Sequence, residues 1–127
     1  MNSKVMFSSA SPHWATPADL YAKLNEEFAF TLDPCPLETP TLDCLRSWEG
    51  ERVYCNPPYG PEIQKYLAKA KEPDCAVYLL PVRTDTKWFH TYCLAADEIR
   101  FIRGRLKFGD AKNSAPFPSM LVIYRNV

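Results

Sequence analysis

The tetrapeptide Asn56-Pro57-Pro58-Tyr59 follows the short apolar run Val53-Tyr54-Cys55. These residue types in this order suit one task, which is to hold an aromatic amine while its nitrogen attacks an electrophile. The exocyclic amine of adenine is a poor nucleophile because its lone pair is spread into the ring. Two acceptors change that: the Asn56 side-chain oxygen takes one amine hydrogen and the Pro57 carbonyl takes the other. The nitrogen is drawn toward a tetrahedral shape and its lone pair is freed along the line of attack. Proline serves here because it fixes φ and has no N–H, so a carbonyl can be aimed with little freedom; Pro58 holds the turn. Tyr59 offers an aromatic face, and stacking of a base on such a face is worth roughly 1–3 kcal/mol. Pro-Pro after a strand is also ordinary turn punctuation. The position at the end of an apolar run favours the chemical reading, because α/β sheets carry ligands at the carboxyl ends of their strands.

The elements that must position this turn are legible on either side of it. Residues 17–28 read as a helix: Thr16 can cap it, Pro17 fits its first position, Asp19 suits the first turn, and Leu20, Leu24 and Phe28 share a face. Phe30-Thr31-Leu32 reads as a short strand stopped by Asp33-Pro34-Cys35-Pro36, and the stretch from Leu37 to Glu51 as irregular. After the strand Val53-Tyr54-Cys55, the pattern predicts a helix from Glu62 to Lys71, a buried strand from Cys75 to Pro81 and a helix from Lys87 to Ala95. Three further strands are expected at Glu98–Ile102, Arg105–Phe108 and Met120–Tyr124, with Gly104 turning the first into the second as a hairpin. The order predicts an α/β sheet, parallel first and antiparallel at its C-terminal end.

Size and composition set the limits. The 127 residues suit one domain, with residues 1–12 loosely ordered. Hydrophobic residues make up 46% and charged residues 24%, both globular values. No apolar stretch approaches the roughly 20 residues of a membrane span, and the N-terminus lacks a signal-peptide core, so a cytoplasmic protein is expected. Net charge is zero, from 15 basic and 15 acidic residues, which argues against bulk electrostatic binding of nucleic acid. The basic residues nevertheless gather late, at Arg83, Lys87, Arg100, Arg103, Arg105 and Lys107. Such a half can face a polyanion or form a solvated surface. The five cysteines, Cys35, Cys44, Cys55, Cys75 and Cys93, contain no Cys-x-x-Cys pair and read as reduced thiols. No metal site is expected, since neither they nor His13 and His90 show ligand spacing.

As a set, these residues resemble the S-adenosylmethionine-dependent amino-methyltransferases, and more closely the small phage-type DNA N-6-adenine methyltransferases. The resemblance runs from Trp14 to Tyr124. Asn56-Pro57-Pro58-Tyr59 matches the catalytic motif, which is shared with enzymes acting on RNA and on glutamine side chains. The phage-type family is suggested by Trp14-Ala15-Thr16-Pro17, Leu32-Asp33-Pro34-Cys35, the run from Leu80 to Phe89, and Gly104-Arg105-Leu106-Lys107-Phe108. The resemblance implies an abridged Rossmann-like methyltransferase sheet and S-adenosylmethionine as cofactor. It places Thr16 and Pro17 at the methionine end of the cofactor, Asp33 with Pro34 in the first cofactor motif, and Asp43 opposite the cofactor's adenine amine. Asn56 borders the same pocket, and Trp14 either covers the cofactor or plugs the core. One departure is plain: the residues after Cys35 are Pro36-Leu37-Glu38-Thr39-Pro40, where the family's first motif continues into a glycine-rich turn. The interval from Asp33 to Asn56 is also too short for two further strand–helix units, so the cofactor pocket is abridged.

The expected reaction is direct methyl transfer from the sulfonium to adenine N6 of DNA. The base is flipped out or single-stranded, because a paired base is out of reach. Asn56, Pro57, Pro58 and Tyr59 are the catalytic candidates. Arg83, Lys87, Arg103, Arg105 and Lys107 are the candidates for phosphate contact, and Trp88 with Phe89 lines the base pocket or belongs to the core. A homo-oligomer is a further possible partner state, and host-cell cytoplasm is the expected place for a phage-encoded enzyme. The alternatives are the same chemistry on RNA adenine, cytosine N4 or glutamine, and a non-catalytic nucleic-acid-binding module.

Overall fold

A computed structural model describes residues 14–35, 44–108 and 114–127. The expectation of loose order over residues 1–12 and the candidate Asp43 lie outside the described residues. The frame is a mixed α/β arrangement around a four-stranded open sheet. Its strands are β1 (Arg52–Cys55), β2 (Cys75–Pro81), β3 (Glu98–Phe101) and β4 (Ser119–Arg125). The spatial order is β1-β2-β4-β3. β1 and β2 pair in parallel, and β4 runs antiparallel to both β2 and β3. Three strands therefore point one way and β4 alone points the other. Leu32 adds a parallel bridge to Val53 outside β1, held by Tyr54 N–H donating to the Leu32 carbonyl at 3.0 Å. The strand expected at residues 30–32 is thus a single bridge.

All seven residues of β2 are buried, and so are the first six of β4. Their runs, Cys-Ala-Val-Tyr-Leu-Leu-Pro and Ser-Met-Leu-Val-Ile-Tyr, are nearly continuous in apolar residues, as strands covered on both faces require. Around them pack α1 (Ala18–Phe28), α2 (Ile63–Leu67), α3 (Lys87–Thr91) and a 3₁₀ turn at Cys93–Ala95. Leu24 and Phe28 of α1, Ile63, Tyr66 and Leu67 of α2, and Trp88 and Phe89 of α3 enter the core. Trp88 and Phe89 are therefore core residues. The end of α1 is fastened to the sheet by charge: Arg100 on β3 donates to both carboxylate oxygens of Glu27 at 2.8 and 2.6 Å and to Glu98 at 2.6 Å. Arg125 on β4 reaches Glu98 at 2.8 Å.

Several sequence expectations need correction. Pro17, with φ −59° and ψ 134°, is the cap of α1 and not its first helical residue, and no side chain caps the helix. Thr16 is turned elsewhere, as described below. The helix expected to reach Lys71 is regular only to Leu67 and continues as turns, and the one expected to reach Ala95 breaks after Thr91 into the 3₁₀ turn. The hairpin at Gly104 does not form. Gly104 takes a positive φ of 74° and turns the chain, but residues 105–108 form no strand. The partner of β3 is β4, because β4 offers a longer and mostly apolar strand. Leu106 is held instead by Ala115 N–H donating to its carbonyl at 2.8 Å.

Candidate active site

The strand directions gather the candidates at one edge. β1, β2 and β3 all end on the same side of the sheet, and Leu32 beside Val53 ends there too. Asp33, Asn56, Arg83 and Arg103 follow these ends directly or within two residues. Ser119, the first residue of β4, is paired with Pro81 at this edge.

Asn56 is clamped there. Its Nδ2 donates to the Trp14 carbonyl and to Thr16 Oγ1 at 3.1 Å. Thr16 Oγ1 in turn shares a 2.7 Å hydrogen bond with the Tyr54 hydroxyl. Tyr54 and Asn56 are two residues apart on an extended backbone, so their side chains lie on the same face. Tyr54 is fully buried, with its ring edge-on to Tyr21 at 5.2 Å and tilted on Phe30 at 5.4 Å. Burial pushes its hydroxyl far above the usual tyrosine range, so it stays protonated as a neutral hydrogen-bonding group. The Asn56 Oδ1 atom is buried and has no hydrogen-bond partner among the described residues. An amide oxygen left in that state costs about 1–3 kcal/mol, which a substrate hydrogen would recover.

The rest of the turn is packed against the sheet. Pro57 is buried and Pro58 half-buried. Tyr59 is 9% exposed, with its hydroxyl donating to the Leu79 carbonyl at 3.1 Å and its ring edge-on to Phe117 at 5.6 Å. Burial raises its hydroxyl pKa well above the usual value, against the smaller lowering effect of the Arg83 charge. Trp14 is half-buried between Phe108 and Phe117, at 5.5 and 5.3 Å. Its ring packs on the core while its backbone carbonyl serves Asn56.

On the other flank, Asp33 is half-buried and its carboxylate accepts from Cys35 N–H at 3.1 Å, closing a turn over the buried Pro34. Burial raises the Tyr21 pKa, and the Asp33 charge adds to that rise and to the one at Tyr54. Below it, Cys35 is hydrogen-bonded to Cys55, Tyr66 and Cys44, and these bonds lower its thiol pKa, with the Cys55 bond the largest cause. Cys55, with its thiol buried and faced by Cys35, is pushed the other way. All five cysteines are free thiols. Among the described residues no group of three or more His, Cys, Asp or Glu side chains is placed to hold a metal ion.

Arg83, Lys87, Arg103, Arg105 and Lys107 are all exposed. Among the described residues, ion pairs occupy Arg46, Lys65, Lys69, Arg100 and Arg125 and none of these five. Lys87 opens α3, whose cap is Thr86, accepting from Phe89 N–H at 3.2 Å. Sequence reasoning missed Tyr54 as a partner of the site, the Trp14 carbonyl, and Ser119 Oγ, a second buried oxygen with no partner among the described residues. The two-residue spacing of Tyr54 and Asn56 on a strand was the one available signal.

No curated protein and no solved structure matches the chain. A family model for DNA N-6-adenine-methyltransferase (Dam) matches residues 4–127, a span that includes Trp14–Pro17, Asp33, the Asn56 turn and the basic segment. A buried, unfilled acceptor at the carboxyl edge of the sheet agrees with that match. The chain belongs to the DNA N-6-adenine-methyltransferase (Dam) family, a family of enzymes that methylate adenine N6 in DNA.

Proposed function

We propose that the Asn56 turn is the catalytic centre and that it takes a flipped or single-stranded adenine of DNA. The observation that carries this is the Asn56 amide, with both its hydrogens spent on Trp14 and Thr16 and its oxygen buried without a partner. Asn56 Oδ1 accepts one hydrogen of the adenine amine and the Pro57 carbonyl accepts the other. Pro58 keeps the two acceptors at a fixed separation, and Tyr59 supports the base from the packed side of the turn. S-adenosylmethionine is the methyl donor we propose, supplying an electrophilic methyl group on its sulfonium. The residues at the strand ends suit its polar groups. Thr16 carries a hydroxyl beside Asn56, Trp14 and Pro17 border it, and Asp33 with Pro34 supplies a half-buried carboxylate on the adjacent flank. Asp43 is the further candidate for the donor's adenine amine. We read the frame as an abridged methyltransferase sheet, in which the direct neighbourhood of Leu32 and Val53 leaves no room for additional strands between them.

Placement carries most of the acceleration, since well-oriented reactants gain roughly 7–11 kcal/mol in reference systems. Arg83, Lys87, Arg103, Arg105 and Lys107 hold the DNA backbone around the site. Incubation with labelled S-adenosylmethionine and separate DNA, RNA and protein acceptors, followed by digestion, tests the reading. Label in N6-methyladenine from DNA is the expected result. Label confined to RNA, cytosine or glutamine would redirect the substrate, and donor binding without transfer to any acceptor would reduce the chain to a binding module.

A further inference from the structure

An asparagine amide is nearly symmetric in shape, and only its surroundings decide which end faces the substrate. The Trp14 carbonyl settles that here, since a carbonyl only accepts and the end of Asn56 facing it must be the NH₂ group. One amide hydrogen is then spent. The second goes to Thr16 Oγ1, and Thr16 is itself held by the hydroxyl of Tyr54, whose ring is fixed in the core by Tyr21 and Phe30. Both hydrogens of Asn56 are consumed by the protein, and Oδ1 is left as a pure acceptor. A rotated amide would set its oxygen against the Trp14 carbonyl and offer a donor to an amine that needs an acceptor.

We propose that the Thr16–Tyr54 hydroxyl pair is a positioning device that works with the Trp14 carbonyl to lock the Asn56 amide in its productive orientation. This rests on the catalytic reading of Asn56 given above. Tyr54 touches neither reactant in this scheme; it acts on the reaction through Thr16 and Asn56. The lock also gives Thr16 a role separate from donor binding, and the two roles differ in kinetics. A contact to the donor raises the donor's KM, whereas loss of the lock lowers kcat at saturating donor and DNA.

The test uses the full chain and three variants. Tyr54→Phe keeps the ring and removes the hydroxyl, Thr16→Val keeps the shape and removes the acceptor, and Thr16→Ser keeps the acceptor. We expect kcat to fall about tenfold in Tyr54→Phe and up to about a hundredfold in Thr16→Val, the scale on which small misplacements act. The donor KM should move less than threefold in Tyr54→Phe, and Thr16→Ser should recover most of the kcat lost in Thr16→Val. In parallel, the side-chain NH₂ resonances of Asn56 in ¹⁵N-labelled protein should lose protection from exchange in Tyr54→Phe and Thr16→Val. Unchanged Asn56 exchange, or kcat within twofold of wild type in both variants, overturns the lock. A wild-type chain that methylates nothing would instead overturn the catalytic reading, and the exchange measurement would still decide whether the amide is held this way.

Discussion

The Asn56 turn and the basic segments, of which Arg83 and Arg103 follow strand ends at the same edge of the sheet, are built on opposite principles. The turn is packed: Pro57 and Tyr59 are buried, Tyr59 is tied to Leu79, and the Asn56 amide is held from two sides. The basic segments are open, and Arg83, Lys87, Arg103, Arg105 and Lys107 all point into solvent. The first region offers fixed geometry and the second offers exposed positive charge. Elsewhere on the surface positive charge is neutralised: Glu27 and Glu98 pair with Arg100 and Arg125 at the junction of α1 with the sheet.

The sharpest way to break this contrast is Asn56→Ala. Methyl transfer should fall by roughly a hundredfold to a thousandfold or more, the scale seen when one group stabilising a transition state is removed, while the melting temperature hardly changes. Undiminished turnover in that variant would sink the assignment of the turn. The basic segments should answer differently. Arg103→Ala and Arg105→Ala should each weaken DNA binding severalfold and reduce the slope of log K against log salt by about one, with kcat at saturating DNA preserved. An unchanged slope would return these residues to the plain surface.

Between these extremes, Tyr59→Phe probes the packing of the turn. It removes the bond to the Leu79 carbonyl and should cost about 1 kcal/mol of stability, measured by chemical denaturation. The smallest effect belongs to the acidic anchor. Arg100 and then Arg125 lower the Glu98 pKa to about 2. A lowered folded-state pKa gives stability that is complete above the ordinary glutamate value and is lost as pH falls toward about 2. Glu98→Gln should therefore lower the melting temperature slightly at pH 7, and the gap to wild type should close as pH falls from about 4.5 to 2. Because this cluster is partly exposed, the change is expected to be modest.

What could be read from the sequence followed the strength of the local signals. The Cys75–Pro81 and Met120–Tyr124 strands were legible because continuous apolar runs of that length have few other solutions. The turn at Asn56 stood out because its residue types suit amine chemistry on their own. The pairing of β3 was not. Gly104 is a genuine turn residue, and only competition from the distant, more apolar β4 edge decides against a local hairpin. Thr16 shows the same limit at the site. A threonine before Pro17 reads as a helix cap, and nothing local reveals that Tyr54 and Asn56, about forty residues away, will claim its hydroxyl. Long-range hydrogen bonds overrode the local preference in both senses: they left α1 uncapped and they built the site.

The reversed strand has a consequence for how the molecule is made. β4 is the last strand in sequence and sits between β2 and β3. While the chain emerges from the ribosome, β2 therefore has an unpaired, wholly apolar edge until residues 119–125 appear, and β3 has no partner at all. The sheet closes in one late step across the whole connection of residues 82–118 between β2 and β4, a slow kind of contact to form. Until then the nascent protein presents an open strand edge of the kind that pairs with other chains, so expression speed and temperature should govern how much active enzyme survives its own synthesis.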